Sequence, residues 1–159
     1  MGGMNGEDLK QLLRGAFDAR VLNYGDFNLV YGQPSGSGAA WVIGYRHQPL
    51  EMLLCPVELG TLPEVPVADG IATVALDNVA TLADTGTGYQ VETVTGFRTW
   101  FEVTGAPRVP LPGRMRDGGP TGDGDGTVVV HQEEDAEDFH QFMTHFMDTL
   151  DSYYRLPRA

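Results

Sequence analysis

Four histidines stand in the chain, at His47, His131, His140 and His145, and two of them share an apolar-striped stretch with Glu137. Imidazole and carboxylate side chains together are common donors of a protein metal site. Their spacing argues against one here. Two ligands on one helix share a face when they lie three or four residues apart, and the five-residue step from His140 to His145 turns the second away by about 140°. Glu137 and His140 do share a face, yet that pair supplies only half of what a carboxylate-bridged site draws from facing helices. No metal and no other cofactor is expected. His131 is better placed for a role, because it follows an apolar strand-like run and is expected to turn toward the core.

Gly122-Asp123-Gly124-Asp125-Gly126 places carboxylates at alternate positions, as a calcium loop does. Counted from Asp123, Glu134 takes the twelfth place, but Val128 takes the sixth, where the sharp turn calls for glycine. Counted from Asp117, Gly122 restores the turn and Val128 replaces the final glutamate. The stretch reads as an acidic surface loop. Gly32 to Gly38 contains neither Gly-x-x-x-x-Gly-Lys nor Gly-x-Gly-x-x-Gly, and neither Ser35 nor Ser37 sits in a Gly-x-Ser-x-Gly elbow. It reads as a turn. Pro107-Arg108-Val109-Pro110 suits an extended left-handed helix of the kind that docks on partners. Cys55, the only cysteine, lies in Met52-Leu53-Leu54-Cys55 and reads as a buried, inert thiol.

Charge narrows the classes of partner. The chain of 159 residues carries 22 acidic and 10 basic side chains, a formal net charge of -12, and Lys10 is its only lysine. Phosphate backbones are held by clustered Lys and Arg, and the one base-rich, acid-free stretch is Arg108 to Arg116 with three arginines. Nucleic acid and anionic membrane surfaces are therefore not expected partners. No apolar run approaches the roughly 20 residues that span a bilayer, and the first 25 residues lack the pattern of a secretory signal. The expected location is cytoplasmic.

The elements that position these groups are legible from periodicity. Leu9, Leu12, Leu13, Ala16 and Phe17 recur at helical spacing and predict a helix over 7–20, with Asn5 as its cap. Phe27, Leu29 and Tyr31 alternate with Asp26, Asn28 and Val30, as in a strand with one face buried. Ala40 to Tyr45 and Leu50 to Val57 follow as strands, with Pro56 at an end or edge. Residues 70–83 fit both periods: Ile71, Val74, Ala75, Val79 and Leu82 match a helix, while the density of Val, Thr and Ile favours a strand. We read strand. Between Gly88 and Val103 a hairpin is predicted with its register: a loop at Val94-Thr95-Gly96 sets Thr93 against Phe97, Val91 against Thr99 and Tyr89 against Phe101.

Gly105 to Gly126 has no periodicity and reads as one flexible Gly/Pro/Asp-rich loop, followed by a strand over Thr127–His131. A long helix starts near Asp135 as its cap. It carries an apolar stripe of Phe139, Phe142, Met143, Phe146, Leu150, Tyr153 and Tyr154 and ends at Pro157.

Together these predict a single α+β domain over 1–159: a twisted antiparallel sheet or partly open barrel of about six to seven strands, with an N-terminal helix and a long C-terminal helix packed on it. The element order resembles that of the pleckstrin-homology type of barrel; no motif carries the likeness, and it implies no function. With 70–83 as a helix instead, the order is similar to that of secretion chaperones. Lacking any triad, metal set or phosphate loop, the chain reads as a non-catalytic module that binds a protein partner, with homo-oligomerisation as a natural extension. Trp100, Arg98, Tyr89 and His131 are the candidate contact residues. The alternative is a small-ligand domain or weakly marked enzyme with its pocket between the last helix and the sheet.

Overall fold

The structure, a computed structural model, describes residues 6–19, 21, 27–34, 40–57, 71–110 and 127–155. Its order is α1 (Gly6–Asp18), β1 (Asn28–Pro34), β2 (Ala40–His47), β3 (Leu50–Val57), β4 (Ala72–Ala75), β5 (Val79–Asp84), β6 (Tyr89–Thr93), β7 (Arg98–Glu102), β8 (Arg108–Pro110), β9 (Thr127–Val129) and α2 (Glu133–Arg155). The α+β class and the antiparallel sheet agree with the sequence reading.

Seven strands form one antiparallel sheet in the order β4-β3-β2-β1-β7-β6-β5. The two edge strands, β4 and β5, are joined by the short turn Leu76–Asn78, so the sheet curls strongly. It does not close into a barrel. Asn78 fastens that turn: its Oδ1 accepts from the Ala75 N–H at 2.8 Å, its Nδ2 donates to the Thr73 carbonyl at 2.7 Å, and its own carbonyl accepts from the Val94 N–H at 2.8 Å.

The two faces of the sheet are covered differently. On the inner face Val30, Ile43, Tyr45, Met52, Leu54, Val74, Val79, Val91 and Phe101 meet Phe139, Phe142, Met143 and Phe146 of α2. Each such aromatic or aliphatic side chain contributes roughly 1.5–3 kcal/mol when fully buried. On the outer face α1 lays Leu9, Leu13, Ala16 and Phe17 over the β1–β3 half, where Phe27, Tyr31, Val42, Leu53 and Cys55 receive them. Gly44 makes that approach possible, because a Cβ there would run into the Phe17 ring. β1 is therefore covered on both faces, Val30 facing α2 and Tyr31 facing α1, where alternation alone predicts one buried face.

Several boundaries differ from expectation for physical reasons. The stretch read as one strand over 70–83 holds two, β4 and β5, and Val74 and Val79 reach the same inner core from either side of the Leu76–Asn78 turn. Arg108–Pro110 is a strand, inside the stretch read as one long loop and as a left-handed helix, and it pairs with β9. The ladder continues past both strands, with the Val130 N–H on the Pro107 carbonyl at 3.0 Å and the Gln132 N–H on the Gly105 carbonyl at 2.8 Å. This hairpin stands apart from the main sheet and delivers α2 to its starting point. α2 begins before Asp135, at Glu133, and its first helical bond runs from the Ala136 N–H to the Gln132 carbonyl. Pro56 lies within β3 but beyond the last residue that pairs with β4, so its missing N–H costs no ladder bond. The proposed cap Asn5, the residues 35–39, the aspartates at 117, 123 and 125, and Pro157 lie outside the described residues.

Candidate functional site

The hairpin β6–β7 forms with the expected register, Tyr89 opposite Phe101 and Val91 opposite Thr99, and the Thr93 N–H bonds to the Phe97 carbonyl at 2.9 Å. Gly96 takes a φ of 98°, the left-handed conformation that the odd loop requires. The register sends Tyr89, Val91 and Phe101 inward. Gln90, Glu92, Arg98 and Trp100 therefore point outward, beyond the half of the sheet that α1 covers. Trp100 is 42% exposed and Val94, in the loop, 67%. The Arg98 guanidinium carbon stands 5.9 Å from the Trp100 ring centre and Nε lies 3.8 Å from Glu92, which also accepts from Gln90 Nε2 at 2.7 Å. The result is an exposed indole held beside a small polar cluster.

Tyr89 belongs to a different environment. Its hydroxyl lies 2.6 Å from His140 Nδ1, and His140 Nε2 lies 3.0 Å from the Val103 carbonyl. A carbonyl only accepts, so Nε2 carries a proton, and in the neutral imidazole Nδ1 then accepts from the tyrosine hydroxyl. Both ring nitrogens are thus engaged, and the pair ties α2 to the ends of β6 and β7. Burial, and then the charge of Asp84, push the Tyr89 hydroxyl up to about 12. His140 remains exposed on the flank of the helix, and what the sequence spacing does not reveal is that both of its ring nitrogens find partners at the ends of β6 and β7.

The expected turn of His131 toward the core is corrected. His131 is exposed, with Nδ1 3.2 Å from a Glu133 carboxylate oxygen, and its carbonyl accepts from Lys10 Nζ at 2.9 Å. Val130, 1% exposed, takes the inward place in the core under α1, so alternation along the chain turns His131 outward. Trp100 and Arg98 come together on the outer face, whereas Tyr89 faces the α2 core and His131 lies beside α1. The space between α2 and the sheet is filled by aromatic side chains, including a Tyr45–Phe139–Phe142 cluster with ring centres 4.9 to 6.2 Å apart. Tyr45 also donates to Asp138 at 2.8 Å, and burial together with that carboxylate raises its pKa far above the usual phenol value.

Sequence reasoning missed Gln132. It is 4% exposed, and its carboxamide bonds both main-chain groups of Tyr31: Oε1 accepts from the Tyr31 N–H at 2.8 Å, and Nε2 donates to the Tyr31 carbonyl at 3.0 Å. The same Nε2 donates to the Thr104 carbonyl at 2.9 Å. β1 and β7 pair only at Gln33 and Pro34 and then diverge, and Gln132 fills the fork. Below the fork lies a cavity of about 160 Å³ between α1, β1 and the start of α2, with Lys10, Arg14, Leu13, Val42, Val130 and Asp135 among its walls. No group of three or more His, Cys, Asp or Glu side chains suited to a metal ion occurs among the described residues. No helix among them is long and apolar enough to cross a membrane. No family model, curated protein or solved structure matches this chain.

Proposed function

We propose that the chain is a non-catalytic protein-interaction module whose contact surface is the outer face of β6 and β7, centred on Trp100. The observation that supports this reading is the exposed indole at 42%, fixed in the middle of a strand beside Arg98 and Glu92. Large exposed aromatics with a neighbouring arginine are the side chains most often found at the energetic centre of protein interfaces. The face is preorganised, because β7 is held between β1 and β6 and its other side is anchored by Phe101 in the α2 core. The partner is a protein with an apolar recess that takes the indole and a carboxylate that competes with Glu92 for Arg98.

A photo-reactive phenylalanine at position 100, with position 84 as an exposed control, tests this in cells that make the protein. A single adduct of defined mass from position 100, absent from position 84 and abolished by Arg98→Glu, is expected. Equal adducts from both positions, or none from either, overturn the reading.

A further inference from the structure

Main-chain groups along a strand point alternately to its two neighbours. In β1 the Tyr31 N–H and carbonyl turn away from β2 toward Gln132, and Gln33 faces Glu102 of β7 on that same side. Leu29 has the same parity, so its N–H and carbonyl also turn away from β2. Among the described residues no strand pairs with them, and Leu29 lines the cavity beside α1. At the neighbouring position the protein itself supplies a peptide-group substitute, the Gln132 carboxamide, which both donates and accepts as a paired strand residue would.

We propose that the main-chain pair of Leu29 is a docking point for an extended segment of a partner protein, which adds as a short strand to the open half of β1. One small aliphatic side chain of that segment turns onto Leu13, Val42 and Val130. The cavity of about 160 Å³ fits such a side chain, whereas pockets for drug-sized ligands run to about 300–1,000 Å³. Strand addition draws affinity from main-chain bonds and specificity from pockets for alternate side chains, and both are present. Gln132 closes the path beyond Tyr31, so the added strand ends there. Glu7, Lys10 and Arg14 on the α1 wall and Asp135 on another offer both signs of charge to the segment's polar groups. This surface is separate from the Trp100 face and does not rest on that reading.

Amide hydrogen exchange and NMR on the full chain test the proposal, with the blocked peptide acetyl-Val-Thr-Val-Ala-Val-Thr-amide as the probe. In the free protein the Leu29 amide exchanges at least about tenfold faster than that of Val30, which is turned to Ile43. Millimolar peptide slows Leu29 about tenfold and shifts the Leu29 and Gln132 resonances. Leu29→Pro removes the outward N–H together with the half-buried side chain and abolishes the Gln132 shift, whereas Leu29→Ala, which keeps the N–H, and Trp100→Ala leave that shift intact. Leu29 protected as well as Val30 in the free protein, no slowing with peptide, or the same shifts from acetate or inorganic phosphate alone would each overturn it.

Discussion

A buried carboxamide that stands in for a strand residue is useful only while all three of its bonds are made, and Gln132 makes them with Tyr31 and Thr104. Gln132→Ala leaves one N–H and two carbonyls without partners at the fork of the sheet, at about 1–3 kcal/mol for each group that water does not reach. A loss of roughly 2–4 kcal/mol in urea unfolding is expected on that basis. Gln132→Glu keeps the shape but loses the donor, so it should destabilise at neutral pH and recover in part when the carboxyl protonates. The tyrosines make a second prediction. Burial raises Tyr31 and Tyr89 to about 12, above the unfolded value of about 10. Because the neutral form is favoured in the folded state, their contribution is complete below about pH 10 and is lost as pH rises from about 10 to about 12. Alkaline titration should show phenolate absorbance from these side chains appearing together with the loss of tertiary circular dichroism; early, independent ionisation would mean that they are wetter than the structure shows. Gly96 was legible in the sequence because an odd hairpin loop demands a left-handed residue. The roles of Gln132 and His140 were not, since each is fixed by a hydrogen-bond partner about a hundred or about fifty residues away, and no local period records such a partner.

Helix and strand patterns carry more of the fold where a face is buried against one neighbour. α2 was readable from its stripe because Phe139, Phe142, Met143 and Phe146 all enter one core. The β6–β7 register was readable because a slip by one residue would exchange the inward Tyr89, Val91 and Phe101 for Gln90, Glu92 and Trp100. Periodicity failed where a turn brings two short strands to the same core, at residues 70–83, and where a three-residue strand is too short to show alternation, at Arg108–Pro110. These elements differ in what a truncation should cost. Phe142→Ala opens a hole between α2 and Tyr45 and is expected to destabilise by about 3–5 kcal/mol in a denaturant series. Trp100→Ala, on the outward face of β7, should change stability by no more than about 0.5 kcal/mol while abolishing the photo-adduct. A large loss of stability at position 100 would assign the indole to packing and withdraw it from recognition.

Across the whole molecule, the curled sheet carries a core on each face, and most of its charge must lie on what remains exposed. Pairs such as Arg46–Glu51, at 3.1 Å, and Arg98–Glu92 neutralise a few carboxylates, but 22 acids against 10 bases leave a formal net charge of -12. A compact chain of this length has a radius of gyration of about 15 Å. The screening length is about 30 Å at 0.01 M salt and about 8 Å at 0.15 M. At low salt nearly every carboxylate therefore repels every other; at physiological salt only near neighbours do, and these include the favourable pairs. Net repulsion opposes the folded state more than the expanded one. Sodium chloride should raise the melting temperature by about 2–4 °C between those two concentrations, equivalent to roughly 1 kcal/mol, and the rise should level off beyond them. Near the isoelectric point of about 4.5 the same addition should have little effect, because the excess of negative charge is gone. A melting temperature that falls with salt at neutral pH would show that attraction within the paired clusters outweighs the field of the whole chain.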